Sequence, residues 1–234
     1  MSLNCSLLMI AVCGLSFATQ SQAAIQAMAS RVIYSADEKA ATLSIKNNAK
    51  LPYMAQIWLE PGMATDTSQK IPIIVTPPLL RLEPQKESAL RFIYSGQGLP
   101  IDRESQYWIN IQEIPPKPKE KNILQIAIRS KIKLFYRPES IKIQLPEAVK
   151  QLRWFVQDGQ LKLENKSPLH ITIGEIQFNN SAPVSQLQQD MVAPFQTIKV
   201  LDSPPATTKN FAYTYINDYG GPVRIDHVAL QSQH

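Results

Sequence analysis

The stretch "NILQIAIRSKIKLFYRP", from Asn122 to Pro138, decides the fold. It reads as one β-strand of about fifteen residues, where most strands have ~5–6. In its first half Leu124, Ile126 and Ile128 point one way and Gln125, Ala127 and Arg129 the other, the alternation of a pleated strand. In its second half Arg129, Lys131 and Lys133 put three cations on one face, with Phe135 beyond. The preceding loop, "PPKPKEK", is charged and proline-rich and belongs in water. If the strand that follows is a sheet edge, its aliphatic side chains have no cover within the monomer. Exposed aliphatic edges are normally blunted, because they template pairing with another chain. An unblunted one is a site for β-augmentation, in which a partner adds a strand and side chains fill pockets.

On either side of this stretch the chain is strand after strand, separated by Pro, Asn-Asn or Asp-rich turns. "ATLSIKN" (Ala41–Asn47) alternates Leu43 and Ile45 against Thr42, Ser44 and Lys46. "YMAQIWLE" (Tyr53–Glu60) alternates Tyr53, Ala55, Ile57 and Leu59, and "YWINIQEI" presents Tyr107, Ile109 and Ile111 on one side. With "IPIIV", "SALRFIY" and the opening stretch also among them, this part of the chain reads as about seven strands, the spacing of an immunoglobulin-type β-sandwich. Beyond Arg137-Pro138, the proline-bearing "RPESIKIQLPEAV" leads to "QLKLEN", "LHITIGEIQF", "FQTIKVL", "FAYTYIND" and "VRIDHVAL", a second, smaller sandwich. The expected fold class is all-β, with two immunoglobulin-like β-sandwich domains and no convincing amphipathic helix. The expected division is a leader at 1–24, a first domain at 25–143 and a second at 144–234.

The leader is read from "LLMIAVCGLSFA" (Leu7–Ala18), an apolar run followed by Ser21-Gln22-Ala23, a small-x-small cleavage pattern. The run is shorter than the ~20 residues a membrane span requires, so no stable membrane insertion is expected. No Lys or Arg precedes it, which departs from the usual positively charged start. Both cysteines, Cys5 and Cys13, would leave with the leader. The processed chain would then hold no disulfide, thiol nucleophile or zinc-thiolate site. The formal charge of +5 lies wholly outside the leader. A basic exported protein rarely meets nucleic acid, and an aromatic-studded basic sheet face of the kind that binds single strands is missing. His170, His227 and His234 have no neighbour at metal-ligand spacing, and neither a phosphate loop nor a nucleophile elbow is present. No metal, no cofactor and no catalytic residue is expected.

Several long motifs carry a resemblance. "SRVIY" (Ser30–Tyr34), "LPYMAQIWLE" (Leu51–Glu60), "TPPLLRLEP" (Thr76–Pro84), "DRESQYWINIQEIPP" (Asp102–Pro116), "LQIAIRSKIKLFYRP" (Leu124–Pro138) and "YINDYGG" (Tyr215–Gly221) occur in one order. In these the chain resembles the periplasmic chaperones of the chaperone–usher pathway, which assemble pili. The resemblance implies two immunoglobulin-like domains at an angle, with a cleft between them. It implies that a pilus or fimbrial subunit, a sandwich lacking its last strand, is capped by Leu124, Ile126 and Ile128 of a donor strand. It implies that Arg31 and Lys133 hold the subunit's C-terminal carboxylate, and that Glu104, Arg137 and Asp218 form an ion network between domains. It further implies delivery to an outer-membrane usher, location in the periplasm, a cis bond at Thr76-Pro77, and a short link between strands F and G that suits rod-like pili. The free protein would be a monomer or a self-capping dimer. The second-domain disulfide of some relatives is absent.

Two other classes compete. A fibre subunit would need an N-terminal donor extension and a missing strand, whereas here the spare strand is internal. An enzyme lacks any supporting constellation. Lys133 is odd-numbered and the three aliphatics even, so a flat strand sends them to opposite faces. Either a β-bulge between Ile128 and Lys133 restores one face, or the two functions use different faces.

Overall fold

The computed structural model describes residues 23–62, 70–118, 123–179, 181–205 and 210–230. Residues 1–22 of the expected leader, with both cysteines, lie outside these residues, as do Asn122 and part of the "PPKPKEK" link.

Among the described residues nine strands build the first domain: β1 (Ile25–Ala27), β2 (Arg31–Ser35), β3 (Ala41–Asn47), β4 (Tyr53–Pro61), β5 (Ile73–Thr76), β6 (Leu79–Leu82), β7 (Glu87–Tyr94), β8 (Ser105–Ile114) and β9 (Arg129–Arg137). One sheet has the order β1-β3-β7-β5 and the other β2-β9-β8-β4-β6. The inward side chains interdigitate between them, with Leu43, Ile45, Ile57, Leu90, Phe92, Ile109 and Leu134 fully buried. This is the sandwich expected from the alternation, with short segments added at its margins. β3 has the limits the alternation predicts, because Asn47-Asn48 ends it: the buried Asn47 amide donates to Leu51 O and Leu82 O, each at 2.9 Å. Thr76–Pro77 is cis.

A short helix, α1 (Leu145–Val149), opens the second domain, with Pro146 in its first turn. Its strands are β10 (Leu152–Gln157), β11 (Gln160–Asn165), β12 (Ile171–Phe178), β13 (Met191–Val192), β14 (Thr197–Asp202), β15 (Asn210–Ile216) and β16 (Pro222–Ala229). They pair as β10-β11-β14 and β13-β12-β15-β16. Trp154 fills the space between the sheets, edge-on to Phe211 at 5.1 Å between ring centroids. With no described cysteine to staple it, this domain rests on that aromatic and aliphatic packing.

The fifteen-residue strand expected over 122–138 is not one strand. Pairing begins at Arg129, and residues 123–128 run on outside any sheet. Opposite them β8 gives way to Pro115-Pro116, whose missing N–H groups end the ladder. Between Gln112↔Arg129 and Ser105↔Tyr136 the register is unbroken, so no bulge separates Ile128 from Lys133.

Candidate functional site

The site grows from one asymmetry of β9. On one side it pairs with β8 along its full length; on the other it pairs with β2 only from Lys133 onward, in parallel, beginning at Arg31↔Lys133. Glu113 N–H donates to Ile128 O at 3.0 Å, and Ala36 N–H donates to Arg137 O at 2.9 Å. Even-numbered residues therefore turn their backbone groups toward β8 and odd-numbered residues turn theirs toward β2. At Arg129 and Lys131, before β2 starts, those groups face an edge unpaired among the described residues.

Side chains follow the same parity. Ile132, Leu134 and Tyr136 are buried in the first core. Ile128, Ile126 and Leu124 precede these at the same parity, beyond the sheet, and Leu124 and Ile126 are 87% and 70% exposed. Glu113, itself buried, fixes the root of this segment: its carboxylate accepts from Ile128 N–H at 3.3 Å and Ile25 N–H at 3.1 Å. The odd-numbered face carries Arg129, Lys131, Lys133, Phe135 and Arg137. Within β9 the even-numbered aliphatic and odd-numbered basic positions thus occupy opposite faces, the second of the two arrangements their parity allows.

Arg31 and Lys133 are brought side by side by the β2–β9 register. The Arg31 guanidinium lies 5.7 Å from the Phe135 ring centroid and donates to Ile216 O, across the domain boundary, at 3.2 Å. No acceptor among the described residues meets its buried Nε. Lys133 sits over Trp108 and reaches Asp190 of the second domain at 3.7 Å. Its side chain is only 14% exposed, whereas that of Asp190 is 63% exposed. Burial pushes the Lys133 ammonium below the ordinary lysine range; Asp190 opposes this and Arg31 adds to it. Burial also lowers the Arg31 guanidinium, against the pull of Asp218, Glu104 and Asp190. Two adjacent, largely buried cations with so little compensating charge can attract an anion, and charge-assisted hydrogen bonds from such a pair suit a carboxylate.

Behind the pair lies the contact between domains. Arg137 donates to Glu104 Oε1 from Nε and Nη2 at 3.1 and 3.0 Å, and to Asp218 from Nη1 and Nη2 at 2.9 and 3.1 Å. Burial disfavours the Arg137 cation, but the hydrogen bonds and charges of Asp218 and Glu104 outweigh it, so its pKa is raised. Sequence reasoning missed His170. It lies in the second domain, donates its backbone N–H to Glu104 Oε2 at 2.8 Å, and sets Nδ1 3.1 Å from the same oxygen. A lone histidine on an alternating segment gave no sign of this, since its partner is distant in sequence. Gly220 packs on the first domain: a Cβ there, at φ +86°, would fall 2.0 Å from Ser30 Oγ. An interdomain cavity of about 740 Å³ opens beside Glu104 and His170. Among the described residues no cluster suited to a metal ion is present and no helix is long and apolar enough to cross a membrane.

Two β-sandwiches, an open strand edge and a neighbouring pair of cations define the architecture, and the comparisons supply the family. The family described as pili and flagellar-assembly chaperone, PapD N-terminal domain, matches residues 24–142. The pili assembly chaperone PapD, C-terminal domain, matches residues 147–227. The chain belongs to this pilus-assembly chaperone family. It is 37% identical over 212 residues to the chaperone protein PapD of Escherichia coli, covering 85% of this chain and 84% of that one. It is 36% identical over 195 residues to the probable fimbrial chaperone LpfB of Escherichia coli O157:H7, covering 81% and 82%. Among solved structures it is similar to the Salmonella enterica complex of SafA pilin with the SafB chaperone, with TM-score 0.77, 30% identity and coverage of 90% and 98%. The CupB2 chaperone of Pseudomonas aeruginosa superposes with TM-score 0.74 at 32% identity, covering 88% of this chain and all of that one.

Proposed function

We propose that this protein is a periplasmic chaperone that caps pilus or fimbrial subunits by lending them a strand, and hands them to an outer-membrane usher. No chemical reaction is involved. The observation that carries the reading is the alignment of an open edge with a cationic stop. A client strand added beside residues 123–132 lies in line with β2 and must end where β2 begins, at Arg31 and Lys133. Cations select a carboxyl terminus over an amino terminus at that point. The added strand therefore runs toward Lys133, parallel to β9.

In that arrangement Leu124, Ile126 and Ile128 enter the client's incomplete core. Each contributes ~1.5–3 kcal/mol by area removed from water, before ordering costs are subtracted. Lys133 exchanges the exposed Asp190 for the client carboxylate, and Arg31 satisfies its remaining donor. Glu104, Arg137, Asp218 and His170 hold the second domain against the back of the anchor. The free protein, with its edge bare, is a monomer or a dimer capped by its own edges.

The test is periplasmic co-expression with a pilus subunit, reading soluble subunit recovered with the chaperone. Recovery is expected with the native chain and lost in Arg31→Ala and Lys133→Ala. Equal recovery with those variants would sink the carboxylate anchor, and no recovery with any subunit would sink the chaperone reading.

A further inference from the structure

The stripe Arg129, Lys131, Lys133 poses a problem of register. Residues two apart on a strand share a face, so a two-residue slip moves an added strand by about 6.6 Å without turning any side chain over. A strand ending in a carboxylate then meets three cations at equivalent positions. Leu124, Ile126 and Ile128 repeat at the same spacing, so a slipped client keeps two of three aliphatic matches. Arg31 rewards the register that ends at Lys133. Specificity also requires that the wrong registers be penalised.

Glu60, near the end of β4, reaches over β8 to the basic stripe. Its Oε2 lies 2.8 Å from Lys131 Nζ and its Oε1 4.0 Å from Arg129 Nη1. The Trp58 indole N–H donates to Oε1 at 3.1 Å and steadies the carboxylate. Trp58 lies under Arg129, and Trp108 under Lys131 and Lys133, with cation-to-centroid distances of 5.9, 5.5 and 5.7 Å. The two outer cations therefore share an anion from their own sheet. Among the described residues Lys133 forms an ion pair only with Asp190, from the other domain.

We propose that Glu60 is a specificity-determining residue: by occupying Arg129 and Lys131 it denies them to a client carboxylate and confines the added strand to the register ending at Lys133. This rests on the carboxylate-anchor reading above. A strand slipped by two residues brings its terminal carboxylate against that of Glu60, which Trp58 and Lys131 hold at the stripe.

Cysteine trapping measures the register. Ser130 borders the open edge, on the wall of a cavity of about 470 Å³. The protein carrying Ser130→Cys is mixed with short synthetic peptides of alternating valine and threonine, each with a free carboxyl terminus and one cysteine at a successive position. The native Glu60 background is expected to trap a single position. Glu60→Gln is expected to trap, in addition, the position two residues nearer the carboxyl end, raised about two- to fivefold, the range of one exposed ion pair. Adding Lys131→Gln to Glu60→Gln should remove that extra product. An unchanged trapping pattern in Glu60→Gln, with free-carboxylate peptides still preferred over carboxamides, overturns the role of Glu60 alone. No preference for carboxylate over carboxamide in the native background overturns the anchor reading, and this inference with it.

Discussion

Replacing Lys133 by methionine removes the ammonium and keeps an unbranched stem. In the free protein that ammonium is mostly buried beside Arg31, and its anion, Asp190, stands 3.7 Å away and largely in water. Such a partner is worth ~0–1 kcal/mol, and the substitution also removes the cost of desolvating the cation. The free variant should therefore unfold in urea within about 1 kcal/mol of the native protein. Client binding should behave differently. Truncating one member of a buried charge pair costs ~2–5 kcal/mol, so a peptide with a free carboxyl terminus should bind at least about 30-fold more weakly. The same peptide as a carboxamide should be unaffected. Stability should also change its pH dependence. The lowered folded-state pKa of Lys133 means that the unfolded chain binds more protons between that value and the ordinary lysine value of 10.5. Native stability therefore rises with pH through this window, and the variant lacks that rise. Equal weakening of carboxylate and carboxamide peptides, or a loss of stability as large as the loss of binding, would refute the reasoning and make Lys133 a structural group.

Three further outcomes are expected. Leu124→Ser with Ile126→Ser should leave the urea midpoint unchanged, since both side chains are exposed, yet lower recovery of a co-expressed subunit by ~3–6 kcal/mol of lost burial. Glu104→Ala strips Arg137 and His170 of a shared buried acceptor; it should cost ~3–5 kcal/mol and show as domain separation by small-angle scattering and by faster proteolysis near Pro138. Tyr213 is pushed up to about 12 from 10.0, chiefly by burial. Its contribution is therefore present below pH 10 and lost as pH rises toward 12, and ultraviolet titration should show this phenol ionising only as the second domain opens.

Much of the architecture was legible because alternation and turn residues act locally. Leu43 and Ile45 against Thr42 and Ser44, stopped by Asn47-Asn48, were enough to place β3. The limits of β9 were not legible, because alternation continues through Leu124–Ile128 while pairing stops for want of a partner on either side. Whether an alternating segment is a strand depends on a neighbour, and prolines at 115 and 116 remove it. Parity told that the aliphatics and Lys133 disagree in face, but only the unbroken register with β8 decided between a bulge and two faces. The motifs named Arg31, Lys133, Glu104, Arg137 and Asp218, residues that the fold then gathers along one boundary. His170, Asp190 and Glu60 carried no such mark, because each acquires its meaning from a partner more than fifty residues away.

β2 occupies the continuation of the very line on which a client strand would lie. Under the proposed reading it acts as an end-stop, and every client is measured backward from its last residue. Such a device is indifferent to what precedes the final strand, so one chaperone can serve subunits of unrelated surface. On that reading it would also recognise completion. A chain still being made has no terminal carboxylate to present, and one that ends early presents it with the wrong residues upstream. The protein would thus admit to assembly only finished subunits, by counting from the end.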